Sequence, residues 1–333
     1  MRAKDRRWKK LSLVIIPLLL EGNPGDAQER VTVSYSSLEA PNSNYFIAQE
    51  KGLYQKYRIE ADSIFIPAST TVVTAIVAGS VHLGNGTGGS IANAAVGGAN
   101  LVSVGSFINT LPYELIVHES IKSAEDLRGK PIGISRIGSA SDVAARVLLK
   151  ALGLEPDKDV PVIQVGGASD RAAAFRTGKI AGFPSPPGVI KLAKGMPHRV
   201  LITTADFPKR FPFPYVCLTT TKSYLASNRE TIKRIVMALI EGTHFFKTRK
   251  EESKRILAKY SRQNNEAYLE SSYSGNAPLF ERVPLVTREG MEVQVNEALA
   301  RKPGARLRVE DLVDDSIVLQ LEKEGFIDRI YQQ

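Results

Sequence analysis

One cysteine in 333 residues is the chain's sharpest shortage. Cys217 alone can form neither an intrachain disulfide nor a thiolate cluster for a metal. It stands in the apolar run Tyr215-Val216-Cys217-Leu218, where a small buried hydrophobe is the expected role. Histidine is nearly as scarce: His82, His118, His198 and His244 are dispersed, with no i, i+4 pair for a helical metal site. HExxH, GxSxG and P-loop patterns are all missing, and the glycine-rich stretch Gly84 to Ser90 lacks the Lys-Ser/Thr of a nucleotide-phosphate loop. The expectation is no catalytic residue, no metal and no cofactor. Also absent are heptads, low-complexity tracts and any apolar run of the ~20 residues that span a membrane. The basic residues from Lys247 to Lys259 are interleaved with Glu251 and Glu252, the pattern of a solvated helix face, so no nucleic-acid partner is expected.

What is present begins at the N-terminus. Arg2, Lys4, Arg6, Arg7, Lys9 and Lys10 precede an apolar core from Leu11 to Leu20, and Gly25-Asp26-Ala27 offers small residues for cleavage. This is the layout of a cleaved signal peptide over residues 1–27. No cysteine lies near the cleavage site, so a lipid anchor through that residue is not expected, and the mature chain is expected in the periplasm. The leader holds six basic and three acidic side chains, so its removal lowers the net charge from +9 to +6. With 43% apolar and 24% charged residues, the remainder has ample core for two lobes.

A supersecondary unit occurs twice, roughly a hundred residues apart. The first copy runs from Ile64 through Ser69 and an apolar-periodic stretch to Ala78, then Gly79 to Gly84. The second runs from Val162 through Ser169 and Thr177 to Gly178-Lys179-Ile180-Ala181-Gly182, one residue shorter by this reading. Each reads as strand, polar cap, short helix, glycine stop and next strand. Two such units suggest two α/β lobes facing a shared cleft, lined by helix N-termini with unpaired N–H groups.

Further strands are expected at Val31–Tyr35, Arg58–Ile66, Leu101–Phe107, Tyr113–Val117, Pro131–Ser135, Arg199–Thr203 and Tyr215–Thr220, with helices between them. Asn42 or Ser43 is expected to cap a helix from about Asn44, and Gly153 to end the helix from about Asp142. From Ser227 onward the pattern is helical. Strands alternating with helices imply a largely parallel sheet in each lobe. The expected division is residues 28–112 plus 216–333 for lobe one and 113–215 for lobe two. The hinge is expected near 109–118 and 209–216.

The run Phe46-Ile47-Ala48-Gln49-Glu50-Lys51-Gly52-Leu53-Tyr54-Gln55-Lys56-Tyr57 resembles a characteristic helix of periplasmic solute-binding proteins of ABC importers, in the nitrate/sulfonate/taurine and thiamine-precursor (NMT1/THI5-like) group. Ser123 to Gly133 is similar to that group's entry into lobe two, and Glu230 to Tyr260 to its C-terminal helices. His82 and Ala181 stand where the family usually has Asp, and Asn42 where it often has an aromatic. The resemblance implies a two-lobed type II periplasmic binding fold. The implied function is capture of a small anionic or polar solute (sulfonate, nitrate, carboxylate or pyrimidine-like) by hinge closure. Delivery would be to the membrane subunits of an ABC permease, with the chain acting as a monomer and not as an enzyme. Two alternatives share the fold: an enzyme like the thiamine-pyrimidine synthase, whose cysteine-rich iron site one cysteine disfavours, and a ligand-loaded sensory protein.

Ligands of doubly wound sheets lie beyond the carboxyl ends of the strands. In lobe one those loops offer Ser37, Asn42, Ser69, Thr70 and Thr71, and the turn Gly86, Thr87 and Ser90. In lobe two they offer Arg136, Ser139, Ser141 and Ser185, with Tyr215 at the crossing. Hydroxyls and backbone N–H groups can hold an anion without adding charge, and Arg136, in a Gly/Ser loop after a strand, is the expected bidentate clamp. Tyr113, Phe213 and Tyr215 are candidates to wall the cleft.

Overall fold

In the computed structural model, which describes residues 29–332 apart from Lys194, the chain forms two five-stranded sheets. The first is entered through β1 (Glu29–Tyr35), α1 (Ser43–Glu50), α2 (Leu53–Lys56), β2 (Ile59–Phe65), α3 (Ser69–Val77), β3 (Leu83–Gly86), α4 (Gly88–Val96) and β4 (Leu101–Ser106). The second follows as β5 (Glu114–His118), β6 (Ile132–Ile134), α5 (Ala140–Ala151), β7 (Val162–Gln164), α6 (Ala168–Arg176), β8 (Gly182–Ser185) and β9 (His198–Thr203). The chain then returns to the first sheet as β10 (Cys217–Thr221).

Strand order is β2-β1-β3-β10-β4 in one sheet and β7-β6-β8-β5-β9 in the other. Each sheet is parallel except for one strand, β10 or β5, which runs antiparallel to both its neighbours. In both cases that strand is the one arriving from the other sheet. The crossings pair with each other: Phe107 N–H donates to Val216 O at 2.8 Å, Tyr215 N–H to Ile108 O at 2.9 Å and Phe213 N–H to Asn109 O at 3.1 Å.

The repeated unit is closer than the sequence suggests. Strands β1 and β2 end at 35 and 65, α3 spans 69–77 and β3 spans 83–86. The ends of β6 and β7, all of α6 and all of β8 each fall 99 residues later. Gly79 (φ 71°) and Gly178 (φ 70°) adopt the same left-handed stop. No residue is missing from the second copy. The apparent deletion came from aligning Ser69 with Ser169, whereas the structure places Ser69 opposite Ala168.

After β10 the chain is helical: α7 (Lys222–Ser227), α8 (Arg229–Thr248), α9 (Lys250–Ser261), α10 (Glu266–Asn276), α11 (Arg288–Arg301), α12 (Ser316–Lys323) and α13 (Phe326–Tyr331). The periodic apolar residues of α8, Ile232, Ile235, Val236, Leu239 and Ile240, are all buried, as a helix facing a core requires. Helix α11 packs along α4. Helix α10 reaches away from the first sheet to the Val189–Ala193 turn of the second. Cys217 is fully buried in an apolar cluster, and Gly153 (φ 75°) ends α5 as its position implied. Residues 1–27, where a signal peptide is expected, lie outside the described residues. Among the described residues, no helix is long and apolar enough to cross a membrane.

Candidate functional site

Between the sheets lies a cavity of about 230 Å³ whose wall takes residues from both. Four helices begin at it. From the first sheet come Ser69 of α3 and Thr87 before α4; from the second come Ala140 and Ser141 of α5 and Ala168 and Ser169 of α6. Each helix start turns free N–H groups and the positive end of its dipole toward the same space.

Hydroxyls cluster at these starts. On one side Ser69 Oγ and Thr87 Oγ1 are 3.2 Å apart, and Thr87 Oγ1 accepts from Ser90 N–H at 3.3 Å, so α4 is capped. On the other, Ser135, Ser139 and Ser141 form a triangle with Oγ separations of 2.8, 2.8 and 3.0 Å. Asp142 holds that loop in place: its Oδ2 accepts from Gly138 N–H at 2.8 Å and its Oδ1 from Arg146 Nε at 2.7 Å. Tyr113 Oη and Tyr215 Oη, 3.1 Å apart, close the base where the crossings meet.

Two opposite charges face this cavity. Arg171, in the first turn of α6, is 3% exposed. Its NH1 donates to Pro184 O at 2.9 Å and its guanidinium lies 5.8 Å from the Phe183 ring centroid, while Nε has no hydrogen-bond partner. Glu39, after β1 in the other sheet, is 8% exposed, with Oε1 also unpartnered. Burial raises the Glu39 carboxyl above its ordinary value, and attraction to Arg171 and a hydrogen bond with Ser37 offset part of that rise. Burial first, with the Glu39 charge adding to it, keeps the Tyr113, Tyr215 and Tyr268 hydroxyls protonated far above the usual tyrosine range.

Of the residues singled out from sequence, Ser37, Ser69, Thr87, Tyr113, Ser139, Ser141 and Tyr215 line this cavity. The others do not. Asn42 is buried beneath the first loop, its Oδ1 accepting from Ser36 N–H at 3.3 Å and Asn85 Nδ2 at 2.9 Å, so it caps no helix. Thr70 and Thr71 lie in the first turn of α3 but do not line the cavity, each with a buried, unpartnered Oγ1. Gly86 pairs with Cys217 inside the sheet, and Ser90 is spent on the α4 cap. Ser185, fully buried, pairs with Glu114 across β8 and β5. Arg136 is exposed and does not line the cavity; it lies on an adjoining groove that shares Pro67, Ala68, Ser135, Gly167 and Asp170 with the cavity wall.

Arg171 and Glu39 escaped the sequence reading, as did Ser36, Ser135, Gln263 and Tyr268. One signal was available for Arg171. A cation in the first turn of a helix opposes the dipole, so its presence there requires another use. Among the described residues no group of three or more His, Cys, Asp or Glu could hold a metal.

The architecture, two mixed sheets exchanging one strand each around a walled cavity, is the periplasmic binding protein fold. It is shared with the periplasmic aliphatic sulphonate binding protein SsuA of Escherichia coli at a TM-score of 0.68, 21% identity and coverage of 85% of this chain and 91% of that one. The periplasmic nitrate-binding protein NrtA of Synechocystis PCC 6803 shares it at a TM-score of 0.76, 15% identity and coverage of 90% of each chain. In sequence, a candidate binding protein of Brucella abortus is 29% identical over 257 residues, covering 73% of this chain and 75% of its own length. The NMT1/THI5-like family model matches residues 41–253, and the chain belongs to that family.

Proposed function

We propose that this chain is the extracytoplasmic solute-binding component of an ABC importer. It captures a small polar solute by closing its two lobes and passes it unaltered to a membrane permease. The observation that carries this reading is the cavity itself. Four helix N-termini, two from each lobe, meet there with a buried, incompletely paired Arg171. That arrangement supplies fixed positive potential and hydrogen-bond donors at no reorganisation cost.

Because both lobes contribute, a ligand held there stabilises the closed state over the open one. The paired crossings, residues 107–113 against 204–216, act as the hinge. Residues 1–27 act as a cleaved export signal. Among the solved structures that share the fold are binding proteins named for sulphonate and for nitrate, which supports the same class of solute.

The test is mass spectrometry of the solute that copurifies with the mature chain, followed by thermal melts with that solute added back. A binder gains stability as RT ln(1 + [L]/Kd), about 2.7 kcal/mol at a hundredfold excess over Kd, and the solute is recovered intact. Steady conversion of it by the purified protein would overturn the reading in favour of an enzyme.

A further inference from the structure

We propose that the groove between α5 and α11 is a second ligand site, separate from the cavity between the sheets, and that it takes a small, neutral, planar amide or lactam.

Helix α11 packs along α4 on the first sheet, and α5 packs on the second. Where these layers face each other beside the crossing they enclose a cavity of about 310 Å³. That is the liquid volume of roughly ten waters, room for a single-ring solute. Its wall shares no residue with the cavity between the sheets. Val143 and Val147, one turn apart on α5, form one side, and Val293 of α11 and Phe211 of the crossing form the others. All four are half-buried, so they leave apolar surface that a flat ring can cover.

Gln294 marks the polar end. It is 4% exposed, it lines this cavity and not the other, and no described residue hydrogen-bonds its amide. Leaving a buried amide unpaired costs stability that a guest can restore. A side-chain amide offers an acceptor beside a donor, and its complement is a donor beside an acceptor: the edge of another amide or of a lactam. Gln and Asn read adenine by the same two-point pairing. Asn93 on α4 spends its Nδ2 on Gly89 O at 2.7 Å, which leaves its Oδ1 to accept a further N–H from the guest.

The charges at the mouth argue for a neutral guest. Arg146 is committed to Asp142 and Asp157, each at 2.7 Å. Lys150 and Arg301 stand against Glu155 and Glu297, all four exposed. Balanced charges in water add little to the binding of an ion of either sign.

The experiment is ligand-detected NMR on the mature chain with benzamide, benzoate and benzylammonium as probes. Benzamide is expected to bind, and the two ions at least about tenfold more weakly, because neither presents the paired donor and acceptor. Gln294→Leu is expected to weaken benzamide binding by about tenfold, the size of one or two lost hydrogen bonds. Val147→Trp, which fills the groove from the opposite wall, is expected to abolish it, and melts confirm that both variants are folded. Arg171→Met, in the other cavity, is expected to leave benzamide binding unchanged. Absence of benzamide binding at millimolar concentration overturns the proposal, as does equal binding of an ion. Binding that survives both groove variants, or that is lost with Arg171→Met, also overturns it by placing the probe elsewhere. None of these outcomes bears on the solute-binding reading, which the copurification test decides.

Discussion

At the scale of single residues, two arginines trade places. Arg136 carries the more legible sequence context, a strand end followed by Gly and Ser, yet its side chain is exposed. Arg171 sits among alanines and is buried at the cavity. Arg171→Met is expected to weaken solute binding about 10- to 100-fold, the range of a lost hydrogen bond between charged groups. Arg136→Ala is expected to change it less than about threefold, as for exposed charges generally; calorimetry on the two variants reads both. Glu39 gives a second prediction. Its folded-state pKa is raised by burial from the ordinary 4.5, so its contribution favours the folded state at low pH and is lost as pH rises through the raised value. Glu39→Gln is therefore expected to melt higher than the parent at neutral pH without ligand. The difference should shrink to nothing below the ordinary carboxyl range. A melting-temperature gap that does not depend on pH would show the carboxyl to be unperturbed.

At the scale of elements, sequence rules located the strands and the helices between them but left the helices after residue 227 undivided, and local chemistry shows why some boundaries moved. Gly86 to Ser90 reads as a turn ahead of helix α4 because Gly88 and Gly89 are poor helix formers. It starts at Gly88 because the Thr87 hydroxyl caps it. The glycines answer a different need: a Cβ on Gly88 would come within 3.0 Å of Pro214, and one on Gly89 within 3.0 Å of Gln294. None of Gly84, Gly86, Gly88 and Gly89 takes a positive φ, so the turn cradles nothing by its backbone twist. Helix α10 could not be placed from sequence at all. It packs on α9 and also meets the Val189–Ala193 turn of the second lobe, and a helical pattern does not say which distant partner a face meets. At that junction Gly188 has φ 98°, and a Cβ there would approach the Ser272 backbone nitrogen to 2.7 Å. Gly188→Ala is expected to prise α10 from the second lobe, lowering the melting temperature by several degrees and loosening solute binding. A variant that melts and binds like the parent would show that this contact is slack.

At the scale of the whole molecule, the two-lobed plan was readable because βα units alternate and recur, and the return strand because Tyr215 to Thr220 is apolar and follows a proline-rich crossing. The floor of the cleft was readable only in part. Hydroxyls after strand ends mark helix starts wherever they occur, so the sequence rule collected Ser90 and Ser185 along with Ser139 and Ser141. It could not see which ones the tertiary structure turns inward. If the crossings hinge, solute should shrink the molecule. Small-angle scattering is expected to show a smaller radius of gyration in saturating ligand than in its absence. Equal radii, with binding confirmed in the same samples, would mean that the lobes are already locked together when empty.

The constant 99-residue offset between the halves sets up one last comparison. It places Arg171 opposite Val72 and Glu39 opposite Gly138. The backbone alone would make the two walls interchangeable, and a solute could then lie either way round. Two side chains, each without a twin, give the chamber a head and a tail. A guest would leave always facing the same direction, which a receiving gate can exploit.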